Sequence, residues 1–481
     1  MSSYAEKFRI RKSGSVLKEQ DKKKIHEAAL EVMEKTGIKI HSKVARDSLK
    51  KAGAIADEKT LIVRFPKSVT TDLIKKVPQK IILAARNKEF DLPCDGEHIY
   101  WTTNGTGITV WEQETRTARK SVLEDIRKSA ILGDWLPYVS IYEPMVVAHD
   151  VPPKIHVAMG MKEAFNNTRK HILSESTHTP EEAKTQVKMA AEIVGGIEEL
   201  KKRHIISAMV CTMSPLILEG PATDAAMVWA ENHVPVYITS MAMMGMSGPA
   251  TIAGDLVVNH AETLALAAAM QAHEPGSPLF YGSVLTSMDP RTGAYVPGSP
   301  ESIVLGVTSS EMARYVKMPS ACGGLGSSAK EPGIQSTLEN SIGAKFSTTI
   351  GVDVMNGMGM VGGDTMLSYE QLIIDNEIVG SAVSSQKEVP VNDETLAVDL
   401  IKQVGIGGSF LGTELTAQKA RDFYMPLLFN TDPFESWVAK GKKDFLDIAR
   451  EKIDWILKNH KIEPLDRNVA LALDRIVKDA M

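Results

Sequence analysis

From about residue 126 onward one pattern repeats seven times: a short β-branched run, a loop rich in Gly, Ser, Met or Pro, then an Ala-rich stretch with helical spacing. The strand candidates are 138–142, 170–174, 205–210, 236–239, 279–282, 318–321 and 351–355. Strands that alternate with helices must be joined by right-handed crossovers, so they form a parallel sheet. Seven alternations favour closure, and the chain is expected to be an α/β protein of the TIM-type (β/α)₈ barrel class. The eighth strand is placed at 405–410. Ahead of the pattern, residues 21–36 space Ile25, Ala28, Ala29, Val32 and Met33 as one helical face that Gly37 stops. Short extended candidates follow at 61–65, 80–84 and 98–101. The expected division is therefore an N-terminal α+β extension over 1–125, a barrel over 126–420 and C-terminal helices over 421–481.

Several classes of function fall away on charge and patterning. The formal net charge is −5 over 481 residues, with no basic excess to invite nucleic acid. No apolar run approaches the ~18 residues needed to cross a bilayer, and the N-terminal residues Met1 to Lys7 carry no apolar signal segment. Cys94, Cys211 and Cys322 are odd in number and more than a hundred residues apart, which speaks against a disulfide framework. A cytoplasmic protein is expected, with no nucleic acid and no membrane as partner.

In such a barrel, function sits on the loops that follow the strand C-termini. Here those loops are rich in Met, Gly and Ser, as in Ser174-Glu175-Ser176, Cys211-Thr212-Met213-Ser214-Pro215, Ser240 to Met246, and Gly323 to Ser328. A mouth of this composition is apolar and adaptable, and suits docking of a large flat cofactor; ordinary packing is the bland reading of each single Met. Gly357-Met358-Gly359-Met360-Val361-Gly362 spells the glycine spacing of a dinucleotide site, but it follows the last of a long series of βα units, where close approach of the loop to a ligand explains the glycines better. Cys211, Cys322 and Glu143 could be gathered as zinc ligands, although no local metal-binding spacing supports them. His260 and Glu262 stand one residue apart in a helical stretch and point to different faces.

Five segments, in order and over nearly the whole chain, carry a resemblance. They are His26-Glu27-Ala28…Thr36-Gly37, Asp150-Val151-Pro152, Gly326-Ser327-Ser328-Ala329-Lys330…Gln335…Glu339, Ser368 to Ile378, and Trp437…Gly441-Lys442-Lys443-Asp444. Together they resemble the trimethylamine methyltransferase (MttB) family, with Ser328 where an Asp is commoner. The resemblance implies a TIM barrel, a cobalamin-type corrinoid carried by a separate cognate protein, and no bound metal in this chain. Family members that demethylate trimethylamine have a pyrrolysine just before the Ser-Ala-Lys stretch. Here that region reads Cys322-Gly323-Gly324-Leu325-Gly326.

The difference bears on the substrate. A neutral tertiary amine is a poor methyl donor because its leaving group is an amide anion, whereas a quaternary ammonium releases a neutral amine. No general acid or base is then required, and catalysis reduces to positioning and desolvation. The expected activity is methyl transfer from a small quaternary amine to a Co(I) corrinoid protein, with glycine betaine first and proline betaine, carnitine or γ-butyrobetaine behind it. Positioning is expected from Gly323, Gly324, Leu325 and Gly326. Substrate binding is expected from Tyr281, Glu143, Tyr142, Trp101, Ser283, Asn356 and Gly357, through aromatic faces and a carboxylate for the cation. Arg291 and Tyr295 lie in a loop long enough to act as a lid. A homo-oligomer is the default for such a barrel. A zinc-dependent corrinoid methyltransferase and a non-catalytic amine-binding barrel stay open as alternatives.

Overall fold

The computed structural model describes residues 3–10, 13–105, 107–174 and 178–481. Eight parallel strands close into a barrel. In chain order they are β1 (Tyr100–Thr103), β2 (Ile141–Tyr142), β3 (His171–Ser174), β4 (Ile206–Cys211), β5 (Val236–Ser240), β6 (Leu279–Ser283), β7 (Ser320–Gly323) and β8 (Val354–Met358). Each pairs with its chain neighbours, and β8 returns to β1 through Val354 opposite Tyr100 and Asn356 opposite Thr102. Helices such as Ile252–His273, Pro300–Tyr315, Ile334–Ile350 and Tyr369–Ser384 cover the outside. The buried faces of the first three are Ala-rich or Ser-rich, which lets helix and sheet approach closely.

Seven strands lie where the alternation predicts them. The eighth does not: it is β1, in the segment read as an extension, and not 405–410. Gly405 and Gly407 adopt positive φ, Ile406 between them is fully exposed, and that stretch finds no strand to pair with. Tyr100–Thr103, by contrast, bury all four residues between β8 and β2. The pattern hides β1 because a hairpin (Thr109–Glu112 with Thr117–Lys120) precedes the helix Leu123–Trp135 that completes its βα unit. A boundary at 125/126 would therefore cut the barrel.

The rest of the N-terminal segment braces the barrel. Helix Glu19–Lys35 packs on Ile252–His273, and His26 Nδ1 lies 2.9 Å from His260 Nε2 at their contact. Tyr4, Phe8 and Phe90 meet edge to face, and Phe8 does the same with Tyr100, below the strand N-termini. At the other end of the chain, helices Phe445–Asn459 and Arg467–Asp479 pack against barrel helices. Between them and the barrel runs a segment whose short helices, Asp393–Leu396, Val398–Val404, Glu414–Lys419 and Phe434–Ala439, bury no residue. The expected boundary at 420/421 falls inside this segment.

One irregularity shapes the mouth. Pairing between β8 and β1 slips between Asn356 and Met358, and Gly357 there takes φ +130°. A Cβ at Gly357 would sit 1.8 Å from the Leu325 carbonyl oxygen, so only glycine lets the end of β8 approach the loop after β7 this closely.

Candidate functional site

Side chains of a barrel strand alternate between the interior and the helix layer. Register fixes the two sets. Met209 pairs with Tyr237, Cys211 with Thr239, Thr239 with Gly282, and Gly323 with Asn356, and this set faces inward. Tyr281 pairs with Ser320, Ser283 with Cys322, and Trp101 with Met355, and this set faces the helices.

The inward set lines a cavity of about 430 Å³ at the C-terminal mouth of the barrel. Met209, Cys211, Gly323 and Asn356 form its inner part, Met241, Val284, Leu285 and Leu325 its apolar wall, and Asn104, Glu143, Tyr295 and Asp364 its polar side. Glycine makes the space. A Cβ on Gly282 would come within 2.3 Å of the Ile238 carbonyl oxygen, whereas one on Gly323 would find nothing nearer than Val284 Cγ1 at 3.4 Å.

Two carboxylates meet this cavity. Glu143, 2% exposed, follows β2, and its backbone is held to β1 by a reciprocal pair: its N–H donates to Thr103 Oγ1 at 2.7 Å, and that hydroxyl donates to the Glu143 carbonyl at 2.8 Å. Asp364 sits at φ +63° in the hairpin after β8, between Met360–Val361 and Met366–Leu367. Tyr295 Oη donates to Asp364 Oδ2 at 3.3 Å, and Oδ1 is buried without a hydrogen-bond partner. Burial pushes the Asp364 carboxyl up to about 7; the Tyr295 and Asn104 side chains oppose the shift, while the negative charges of Asp375 and Glu339 add to it. Its surface stays partly open to the cavity while protein atoms crowd it.

The motif residues that carry the family resemblance hold this mouth together. Glu339 Oε2 accepts from Ser327 Oγ at 2.6 Å and from the Ser328 N–H at 3.1 Å, and Gln335 Nε2 donates to its Oε1 at 2.9 Å. Asp375 accepts from Asn340 Nδ2 at 2.7 Å, Gln371 Nε2 at 2.8 Å and the Gly359 N–H at 2.7 Å. Asn340 Oδ1 in turn accepts from the Gly326 N–H at 3.1 Å. The loops after β7 and β8 are thus tied to one buried network. Ser328 leaves its hydroxyl buried and unpartnered.

Of the residues expected to bind or position substrate, the structure brings Glu143, Asn356, Gly357, Gly323, Gly324 and Leu325 to the cavity. Gly326 lies behind the rim, where a Cβ would be 2.9 Å from Pro297 Cβ and 3.3 Å from Asp364 Oδ2. Tyr281, Ser283, Tyr142 and Trp101 are not part of it. Tyr142 Oη donates to the Ile126 carbonyl and lies 2.9 Å from Ser129 Oγ, and Tyr281 Oη accepts from Asn259 Nδ2 at 3.0 Å and lies 2.9 Å from His260 Nδ1. Both rings face the helix layer. Tyr281→Phe is accordingly expected to lower stability by about 1–2 kcal/mol, through two buried groups losing their partner, with KM unchanged within twofold; a melt beside a saturation curve checks both.

Asp364, Asn104 and Met209 were not expected. The local signal for Asp364 was Gly362-Gly363-Asp364, an acid on a glycine turn directly behind the dinucleotide-like spacing. That spacing opens onto a bulge and a hairpin, with no helix until Tyr369, so it is not a phosphate-binding turn. Cys211 and Cys322 lie on opposite faces of the barrel wall and cannot share an ion with Glu143. Among the described residues no group of three His, Cys, Asp or Glu side chains is placed to hold a metal ion. The loop Ser174-Glu175-Ser176 falls, beyond Ser174, outside the described residues.

A closed parallel barrel whose loop ends enclose a cavity of this size is the framework of a barrel enzyme. The chain belongs to the trimethylamine methyltransferase (MttB) family, whose profile matches residues 5–479, and it is a methyltransferase. It is 31% identical to the trimethylamine methyltransferase of Desulfitobacterium hafniense over 95% of this chain and 92% of that one, and 33% identical to that of Methanosarcina barkeri (strain Fusaro) over 95% and 93%. It is also 27% identical to a glycine betaine methyltransferase of Desulfitobacterium hafniense over 96% of both chains.

Proposed function

We propose that this protein takes a methyl group from a small quaternary amine and delivers it to the reduced corrinoid of a separate protein. The observation that carries the reading is the mouth cavity, which sets Glu143 and Asp364 against Met, Val and Leu walls. Carboxylates attract a cationic nitrogen, and apolar walls fit its methyl groups and exclude water. The part of the loop after β7 that lines the cavity is Gly323, Gly324 and Leu325, none of which can activate a neutral amine.

The corrinoid, when docked, supplies the nucleophile. The rim suits it: Met241 lines the cavity and stands about half exposed, and the exposed Met213 and Met246 lie on the loops after β4 and β5, adaptable apolar surface for a flat macrocycle. The chain's own part is to hold the cation by Glu143 and Asp364, keep the departing C–N bond directed at the opening and exclude water. The C–N bond breaks with its electron pair on nitrogen, and the tertiary amine leaves neutral.

A homo-oligomer is part of the proposal, supported by the unburied segment before the C-terminal helices, along which Ile406, Leu411, Phe423 and Met425 are exposed. A cytoplasmic setting, where reduced corrinoid survives, fits three free cysteines and the absence of any described helix long and apolar enough to cross a membrane. The deciding assay mixes the protein with cob(I)alamin and a panel of methylated amines and follows the cobalamin spectrum. Methylation from quaternary amines is expected; activity with trimethylamine alone, or with none, overturns the reading.

A further inference from the structure

Resting on that reading, we infer that the substrate is a quaternary ammonium cation that carries no carboxylate, of the tetramethylammonium or choline type, and not a betaine. The inference comes from what the cavity offers at each point of its surface. Its two carboxyl side chains are Glu143 and Asp364, and among the described residues that line it there is no Lys, Arg or His. The basic residue of the loop over the mouth, Arg291, is paired to Asp289 at 2.7 Å and is 85% exposed, turned to solvent.

Hydrogen-bonding capacity points the same way. Asn356, 5% exposed and on the inward face, has no partner for Oδ1, and Asp364 Oδ1 has none either. Both oxygens are acceptors at the site, beside the amide groups of Asn104 and Asn356. The hydroxyls nearby are engaged: Tyr295 donates to Asp364, and Ser302 donates to the Val296 carbonyl at 2.8 Å. A betaine would bring its carboxylate into a space that already holds two acidic side chains and that, among the described residues lining it, offers no cationic one. It would lose its hydration there without a cation to replace it. A carboxylate-free cation meets only attraction, and a hydroxyl such as that of choline matches the open acceptor of Asn356.

Calorimetric titration of the whole protein with tetramethylammonium chloride, choline, glycine betaine and glycine betaine methyl ester, run beside cob(I)alamin methylation, tests this. Tetramethylammonium or choline is expected to bind and to be demethylated at least tenfold better than glycine betaine, and the ester is expected to outdo its parent acid although it is larger. If glycine betaine equals or exceeds them, the inference falls while the methyltransferase reading stands. If no quaternary amine binds or gives up a methyl group, the quaternary-amine reading falls and the inference goes with it.

Discussion

Asp364→Asn is expected to cut kcat/KM by about a hundredfold, corresponding to ~3 kcal/mol, the scale of one close charge pair in a partly shielded site. The substituted amide keeps the shape of the hairpin and a contact for Tyr295, so the loss reads charge and not packing. The pH dependence gives the signature. Burial raises the carboxyl to about 7, so in the free protein it is only partly ionised at neutrality. A bound cation favours the ionised form, and substrate use in the parent protein should therefore climb as pH rises through about 7, whereas the variant's profile loses that limb.

Stability should move in the opposite sense. The folded carboxyl keeps its proton up to about 7, while the unfolded chain releases it near the ordinary carboxylate range, so between those pH values the unfolded state binds fewer protons and stability falls as pH rises. The variant escapes this decline. It should melt a few degrees above the parent at pH 8, with a gap that shrinks toward pH 4. A variant that is both less active and less stable at pH 8 would assign Asp364 a structural role.

Gly323→Val is expected to abolish methyl transfer, by a hundredfold or more, while the melt stays within a degree or two. Gly323 ends β7 facing the cavity, its backbone is extended, and the nearest atom to an added Cβ is Val284 Cγ1 at 3.4 Å, ordinary contact. Valine suits a strand, and its methyl groups would enter the space the substrate needs, where displacements of about 1 Å cost ~100-fold. The neighbouring glycines make the contrast. At Gly324 a Cβ would press on Met355 Cε at 2.6 Å, toward the helix layer, and at Gly357 it would strike the Leu325 carbonyl. Substitution at either should cost stability together with activity. Equal melting losses at all three positions would show that Gly323 is needed by the backbone and not by the ligand.

The seven strands were readable because each is short and apolar and a helix follows it before the next barrel strand. The eighth escaped because a hairpin stands between β1 and its helix. Half of the site was readable for the same reason that the rest was not. Residues beyond a strand end, such as Glu143 and the loop after β7, need only their place in the sequence. Residues within a strand need their face, and a strand buried on both sides shows no alternation from which to read it. Leu279, Phe280 and Tyr281 are all fully buried, yet Phe280 packs inward on Tyr237 and Tyr281 turns outward. Asp364 was hidden by its neighbours, whose glycines spell a different motif.

The pairing of Thr102 with Asn356 joins chain segments about 250 residues apart, and it has a consequence for biosynthesis. Strand β1 leaves the ribosome early and waits with one edge unpaired until β8 has been made, so most of translation passes with an open sheet. Glu143 is likewise made long before Asn356 and Asp364. The cavity is therefore acquired late, and an amine in the cell can stabilise the chain only once β8 and the hairpin after it have emerged.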